Sequence, residues 1–276
     1  MDNLDPHHLA VGRHYDDQAY EYELTRLELR GPVERTMTER YLARFVPPGA
    51  VVVDAGVGAG HYDEFLALRD CRLHLVDVST RLLDAALRRL EVAGLSDQVL
   101  DARLGSATDM AHVGDGSCDA VLMLGPLYHL LTLAEREQAV REARRVLRPG
   151  GVVAAAACNR MAGLVGAYYL EGEDGADMLD VYRQFLADGL VDPELAPTIG
   201  HAHFSTAAEF RALFEDQFDE LEFVGLESFT GCRQALFLDL APDVQQAWLE
   251  LVEASASRAE AVGLSEHFMY VGRRPS

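Results

Sequence analysis

Ala50-Val51-Val52-Val53-Asp54-Ala55-Gly56-Val57-Gly58-Ala59-Gly60 is the stretch on which the fold of this chain turns. Its first half is a β-branched run with no polar alternation, the pattern of a strand buried on both faces of a parallel sheet. Pro47-Pro48-Gly49 sets a turn just before it. Its second half places three glycines at alternate positions, where the chain can bend sharply and its N–H groups can approach a ligand with no Cβ in the way. A helix starting beyond them would add a partial positive field. The spacing is not that of the dinucleotide fingerprint G-x-G-x-x-G, because the third glycine comes one residue early and His61 occupies its place. No G-x-x-x-x-G-K-[ST] phosphate loop occurs.

Outward from this turn, strand and helix patterns alternate. Residues 73–78 predict a second strand and Thr80 to about Ala93 a helix capped by Ser79 or Thr80. Residues 99–104 and Ala120–Leu124 predict two more strands. Leu133–Leu147 predicts a helix closed by Pro149-Gly150-Gly151, and Gly151–Ala157 a fifth strand. Thr206-Ala-Ala-Glu209 is a capping box that opens another helix, 219–226 and 267–272 read as closing strands, and a helix of about Val244–Val262 lies between them. Such alternation implies a mostly parallel sheet covered on both faces, an α/β doubly wound Rossmann-like architecture. Residues 1–46 read as an N-terminal helical lid broken at Gly31-Pro32, 47–159 as the core, 160–205 as an inserted helical cap, and 206–276 as the completion of the sheet.

Asp77 closes the second strand. In a doubly wound sheet its carboxylate reaches the crevice beside the first turn and can accept both ribose hydroxyls of an adenosine; the plainer alternative is a cap of the next helix. With Asp77, Asp109 after the third strand, Ala120–Leu130, and Arg145-Val-Leu-Arg-Pro-Gly-Gly151, the chain resembles the class I S-adenosylmethionine-dependent methyltransferases. The resemblance is close over residues 45–158. Leu124-Gly-Pro-Leu-Tyr-His-Leu130 is similar to a group of bacterial small-molecule methyltransferases. The resemblance implies a seven-stranded sheet of order 3-2-1-4-5-7-6 with the last strand antiparallel. It implies S-adenosylmethionine as cofactor, with Gly56, Gly58 and Gly60 under its methionine and ribose parts and Asp54 behind them. It further implies Asp77 on the ribose, Val78 against the adenine, Asp109 at the adenine amino group beside Ala107 and Met110, and Leu124 and Gly125 at the methionine end. The N-terminal segment would fold over the cofactor, with Tyr15 as the lid residue.

Transfer of a methyl group from a sulfonium is a direct displacement, so the protein has chiefly to align the reacting atoms and exclude water. A base is needed only for a protonated nucleophile. Candidates are His129, which could equally be a helix-start residue bonded to backbone, with Tyr128 to orient a ligand, and His201 or His203. On the substrate side stand Tyr128, Arg160, Tyr168, Tyr169 and Phe204, although Arg160 could simply pair with one of the cap's acids and aromatic residues at helical spacing also serve plain packing. The expected reaction is methylation of an O, N or C nucleophile of a small molecule, in natural-product biosynthesis. A protein side chain as acceptor stays open, as does a nicotinamide-dependent oxidoreductase. The oxidoreductase predicts the other glycine spacing and a Tyr-x-x-x-Lys, and the chain has no lysine.

Bulk properties narrow the partners. Asp and Glu number 45 against 24 Lys and Arg, for a net charge of -21. That field repels phosphate backbones and anionic headgroups, so neither nucleic acid nor membrane is an expected partner. The N-terminus shows no basic and apolar signal pattern. Cys71, Cys118, Cys158 and Cys232 are far apart and read as free thiols, no His/Cys spacing suggests a metal site, and a cytoplasmic location follows. A homodimer is possible through the lid or cap helices.

Overall fold

The computed structural model describes residues 4–171, 177–191 and 198–276. Glu173, Asp174, Pro193 and Pro197, read above as part of the cap, lie outside the described residues, as does the side chain of Cys232. Strands β1 (Val51–Ala55), β2 (Arg72–Asp77), β3 (Val99–Leu104), β4 (Cys118–Met123), β5 (Leu147–Cys158), β8 (Asp219–Gly225) and β9 (His267–Arg273) form one sheet; β6 (Leu190–Val191) and β7 (Ala202–His203) form a small separate ribbon. The sheet order is β3-β2-β1-β4-β5-β9-β8, with β9 antiparallel to both of its neighbours. Apart from the ribbon, this is the order and direction expected above.

Burial on both faces explains the apolar strands. Along β1, Val52 joins a core with Met37, Tyr41 and Leu42 of α3 (Pro32–Phe45) and Leu249 of α10 (Pro242–Ser255). Its neighbour Val53 joins a second core with Val140 of α6 (Leu133–Val146), Phe214 and Tyr270. Consecutive side chains of a strand point to opposite faces, so an unbroken apolar run fills both cores. Each fully buried Val or Leu contributes about 1.5–3 kcal/mol. Helix α3 therefore belongs to the core layer.

Local chemistry sets the helix boundaries. Ser79 Oγ accepts from Leu82 N at 3.0 Å and caps α5 (Thr80–Val92). Capping boxes open α6 at Thr132 and α9 (Ala207–Ala212) at Thr206. The long helix expected over Val244–Val262 is two, α10 and α11 (Ala259–Leu264). At the N-terminus, Pro6 at the first helical position and Asp5 accepting from His7 N at 2.8 Å start α1 (Pro6–His14). A π-helical turn, Tyr15–Ala19, joins it to α2 (Tyr20–Leu29). No helix is long and apolar enough to cross a membrane among the described residues.

Candidate active site

The strand order reverses between β1 and β4, and the loops that leave these two strands diverge to open a crevice, the usual ligand site of an open α/β sheet. Here it is a cleft with a cavity volume of about 110 Å³. Its walls include Asp54 and Gly56 to Ala59 from the first turn, Asp77 at the end of β2 and Val78 after it, Ser106 and Ala107 after β3, and Leu124 to Leu130 (Leu127 excepted) after β4.

The three glycines of the turn do different work. Gly58 has φ +56, and the nearest atom to a Cβ there is Glu23 Oε1 at 3.7 Å, so its bare face looks into the cleft. Gly60 has φ +78 and caps α4 (His61–Ala67); a Cβ on it would meet Ala86 of α5 at 2.8 Å. Gly60 is thus a packing glycine and does not line the cleft, contrary to the ligand role expected for it. A Cβ on Gly56 would strike Pro126, which lets the β1 and β4 loops touch. Asp77 braces the turn: its Oδ2 accepts from Gly58 N at 2.9 Å and its Oδ1 from Ser79 N at 2.8 Å. Burial pushes this carboxyl up to about 6.

The N-terminal helices close one wall. A Cβ at Gly12 would lie 2.3 Å from Val78 O, so only glycine lets α1 rest on the loop after β2. Asp16 Oδ1 accepts from Ser79 Oγ at 2.5 Å and from Arg81 N at 3.0 Å. The adjacent Tyr15 crosses to the other side, where its hydroxyl lies 2.9 Å from His129 Nε2. His129 Nδ1 lies 3.0 Å from His201 O, an atom that can only accept. The ring proton therefore sits on Nδ1, and Nε2 accepts from the Tyr15 hydroxyl. Burial lowers His129 to about 4, which keeps it neutral. Both nitrogens are committed, so His129 holds Tyr15 in place and is not the free base expected of it.

Other expectations change as well. His201 contributes its backbone carbonyl while its side chain is exposed. His203 is buried beside Ser205 Oγ at 3.4 Å, away from the cleft walls, and burial lowers it to about 4. Arg160 is 5% exposed and donates to Phe204 O at 3.0 Å and Glu209 at 2.6 Å, so no substrate carboxylate reaches it. Phe204 packs edge-on against Phe185, with centroids 5.7 Å apart. Tyr168 and Tyr169, on α7 (Arg160–Glu171), point outward and are 74% and 65% exposed. Met110 is a fully buried core residue, and Asp109 is tied to Ala111 N at 3.1 Å. Neither lines the cleft. By contrast, Tyr15, Asp54, Gly56, Gly58, Asp77, Val78, Ala107, Leu124, Gly125 and Tyr128 all do.

Two charged residues of the wall had no sequence signal beyond a helical face. Glu23 and Arg26 of α2 line the cleft, with Arg26 Nε 3.4 Å from Glu23. The rest of the Arg26 guanidinium grips Glu34 at 2.7 and 3.2 Å. Glu34 in turn lies 3.7 Å from His267, whose Nδ1 meets Glu227 at 2.6 Å. Burial raises Glu23, with Arg26 opposing. Asp63 of α4, fully buried behind the turn, also went unread.

This arrangement fits S-adenosylmethionine. The bare Gly58 face gives a flat floor, Asp77 keeps a lone pair on each oxygen for hydroxyls, Ala107 and Val78 offer apolar contact, and acidic Asp54 and Glu23 suit a cation. Residues 53–155 match the methyltransferase domain family. The chain is 33% identical over 189 residues to the ubiquinone biosynthesis O-methyltransferase of Methylocella silvestris, covering 66% of this chain and 68% of that protein. It spans 53% of the corresponding Xanthomonas campestris enzyme, at 32% identity. A SAM-dependent methyltransferase of Methanosarcina mazei superposes with a TM-score of 0.56 at 19% identity, covering 85% of this chain and 97% of that one. The geranyl diphosphate C-methyltransferase of Streptomyces coelicolor gives 0.58 at 15%, covering 98% and 99%. The chain belongs to the class I S-adenosylmethionine-dependent methyltransferases. The cofactor supplies an activated methyl group on a sulfonium; Asp77, the glycine turn, Val78, Ala107, Leu124 and Gly125 are the residues that would hold it.

Proposed function

We propose that the chain methylates an O, N or C nucleophile of a small molecule, in natural-product biosynthesis. The observation that carries this reading is the closure of the cleft by α1, the π turn and α2: Tyr15 and Asp16 fasten to opposite walls, 2.9 Å from His129 and 2.5 Å from Ser79. Such a covered cleft suits an acceptor of limited size and excludes water from the reacting atoms. In this reading residues 1–31 act as the lid and 160–205 as a cap, with the core and its completion as divided above. Tyr15, its proton given to His129, presents its remaining lone pairs to an acceptor hydroxyl or amine. Glu23, raised by burial, takes the proton of an acceptor that arrives protonated. The O-methyltransferase relatives put hydroxyl acceptors first in the search.

The test is transfer of radiolabelled methyl from S-adenosylmethionine by the purified chain in a bacterial extract, fractionated by size and read against the same extract without the chain. Label in the small-molecule fraction is the expected result; label confined to protein overturns the reading.

A further inference from the structure

Behind the glycine turn two carboxyls face one another. Asp54 lines the cleft at the end of β1, and Asp63 lies on the first turn of α4 with no exposed surface. Asp54 Oδ1 and both Asp63 oxygens are buried without a hydrogen-bond partner among the described residues. Besides each other, the charged group that both feel is Asp77 of β2, a third carboxylate. From the remaining walls His8, Tyr15, Glu23, Arg26, His61, Tyr62, Tyr128 and His129 face the cleft, and none donates to Asp54 Oδ1 or to Asp63.

Two ionised carboxylates cannot persist together in such a place, because each would be desolvated and opposed by the other. A single proton between them converts the repulsion into a hydrogen bond and satisfies both. We propose that Asp54 and Asp63 share one proton and surrender it when a cation enters the cleft, so that the sulfonium cofactor binds with proton release and its neutral thioether product does not.

The location supports a charge-sensing role. Asp54 touches the space the cofactor needs, while Asp63 reaches it only through Asp54 and so acts as a positioning residue. Burial, with Asp63 and Asp77 adding to it, raises Asp54 well above the usual range; burial takes Asp63 to about 7, opposed by its own backbone N–H and by the bond to Asp54, close enough to neutrality for a nearby positive charge to tip the balance. When the acceptor bonds to the methyl carbon and the C–S electron pair returns to sulfur, the positive charge disappears. The pair then recovers a proton from water, and the product is held less firmly than the cofactor was.

Calorimetric titration of the wild-type chain with S-adenosylmethionine and with S-adenosylhomocysteine, at pH 7 in two buffers of different ionisation enthalpy, counts the protons released. The sulfonium makes the α-amino group of S-adenosylmethionine the more acidic of the two, so the protons each free ligand takes up to bind as an ammonium are first subtracted from its count. The expected result is about half a proton more for the sulfonium, with its advantage in affinity growing several-fold from pH 6 to pH 8. In Asp63→Asn the difference vanishes, because the amide donates to an Asp54 that stays ionised. Asp54→Asn also abolishes it and stands in should the first variant not fold. Equal proton counts for the two ligands in the wild type, or a difference that survives in the variants, overturns the proposal.

Discussion

Side chains around the crevice are held from behind, whereas the two tyrosines near the end of α7 are held by little. Asp77 is fixed by two backbone N–H groups within 2.9 Å and Tyr15 by a neutral imidazole whose own proton is pinned. Tyr168 and Tyr169, by contrast, are 74% and 65% exposed. A side chain at the end of a parallel strand has its direction set by the sheet. A helix has an inward side only where a neighbour covers it. The difference teaches where function can be assigned residue by residue and where it cannot.

The sharpest way to break this contrast is Asp77→Ala. Loss of a buried carboxylate that braces the turn should weaken S-adenosylhomocysteine binding about 100-fold, or ~3 kcal/mol, by calorimetry. A loss under about threefold would remove Asp77 from the binding set. Arg160→Ala should cost about 3 kcal/mol of stability in urea unfolding, since it strips a buried guanidinium from Glu209 and three backbone carbonyls. It should leave the cofactor Kd unchanged; a selective loss of binding would return Arg160 to the site.

The buried acid pair gives a pH-dependent test. With Asp63 raised to about 7, the folded chain keeps a proton between pH 4 and 7 that the unfolded chain has lost. The folded state therefore binds more protons, and stability falls as pH rises through that window. Asp63→Asn should flatten the decline and raise the Tm at pH 8 by about 2–4 °C, the equivalent of ~1 kcal/mol. At pH 4 it should match the wild type. Tyr15→Phe removes one hydrogen bond to His129, worth about 1 kcal/mol, and should lower kcat/KM about fivefold. Tyr168→Ser with Tyr169→Ser should change neither cofactor Kd nor kcat by more than about twofold, since both rings face solvent.

Strand ends were legible in the sequence because local chemistry and tertiary position coincide there. The β-branched run before Gly56 and the acid that closes β2 say what they do without a neighbour's help. The limits of α5 were equally readable, Ser79 being its own signal. Gly60, Arg160 and Phe204 were misread for one reason: each fills a contact with a distant segment, namely Ala86, Glu209 and Phe185. Sequence spacing carries no trace of such contacts. Glu23 and Arg26 went unread because an acid and a base three residues apart on a helix usually signal a solvated face. Their burial becomes visible only once α2 is laid over the sheet edge. His129 was placed correctly, but its availability depended on a carbonyl 72 residues away.

The π turn at Tyr15–Ala19 has a mechanical consequence. Neighbouring residues there reach opposite banks, Tyr15 to the loop after β4 and Asp16 to the start of α5. The helix is bolted on both sides of a single hinge point, like a bridge deck rather than a door. It cannot swing about one bank while the other stays fastened. Entry of a ligand beneath it thus demands that both bolts draw together, and passage into the cleft should follow a single cooperative opening rate.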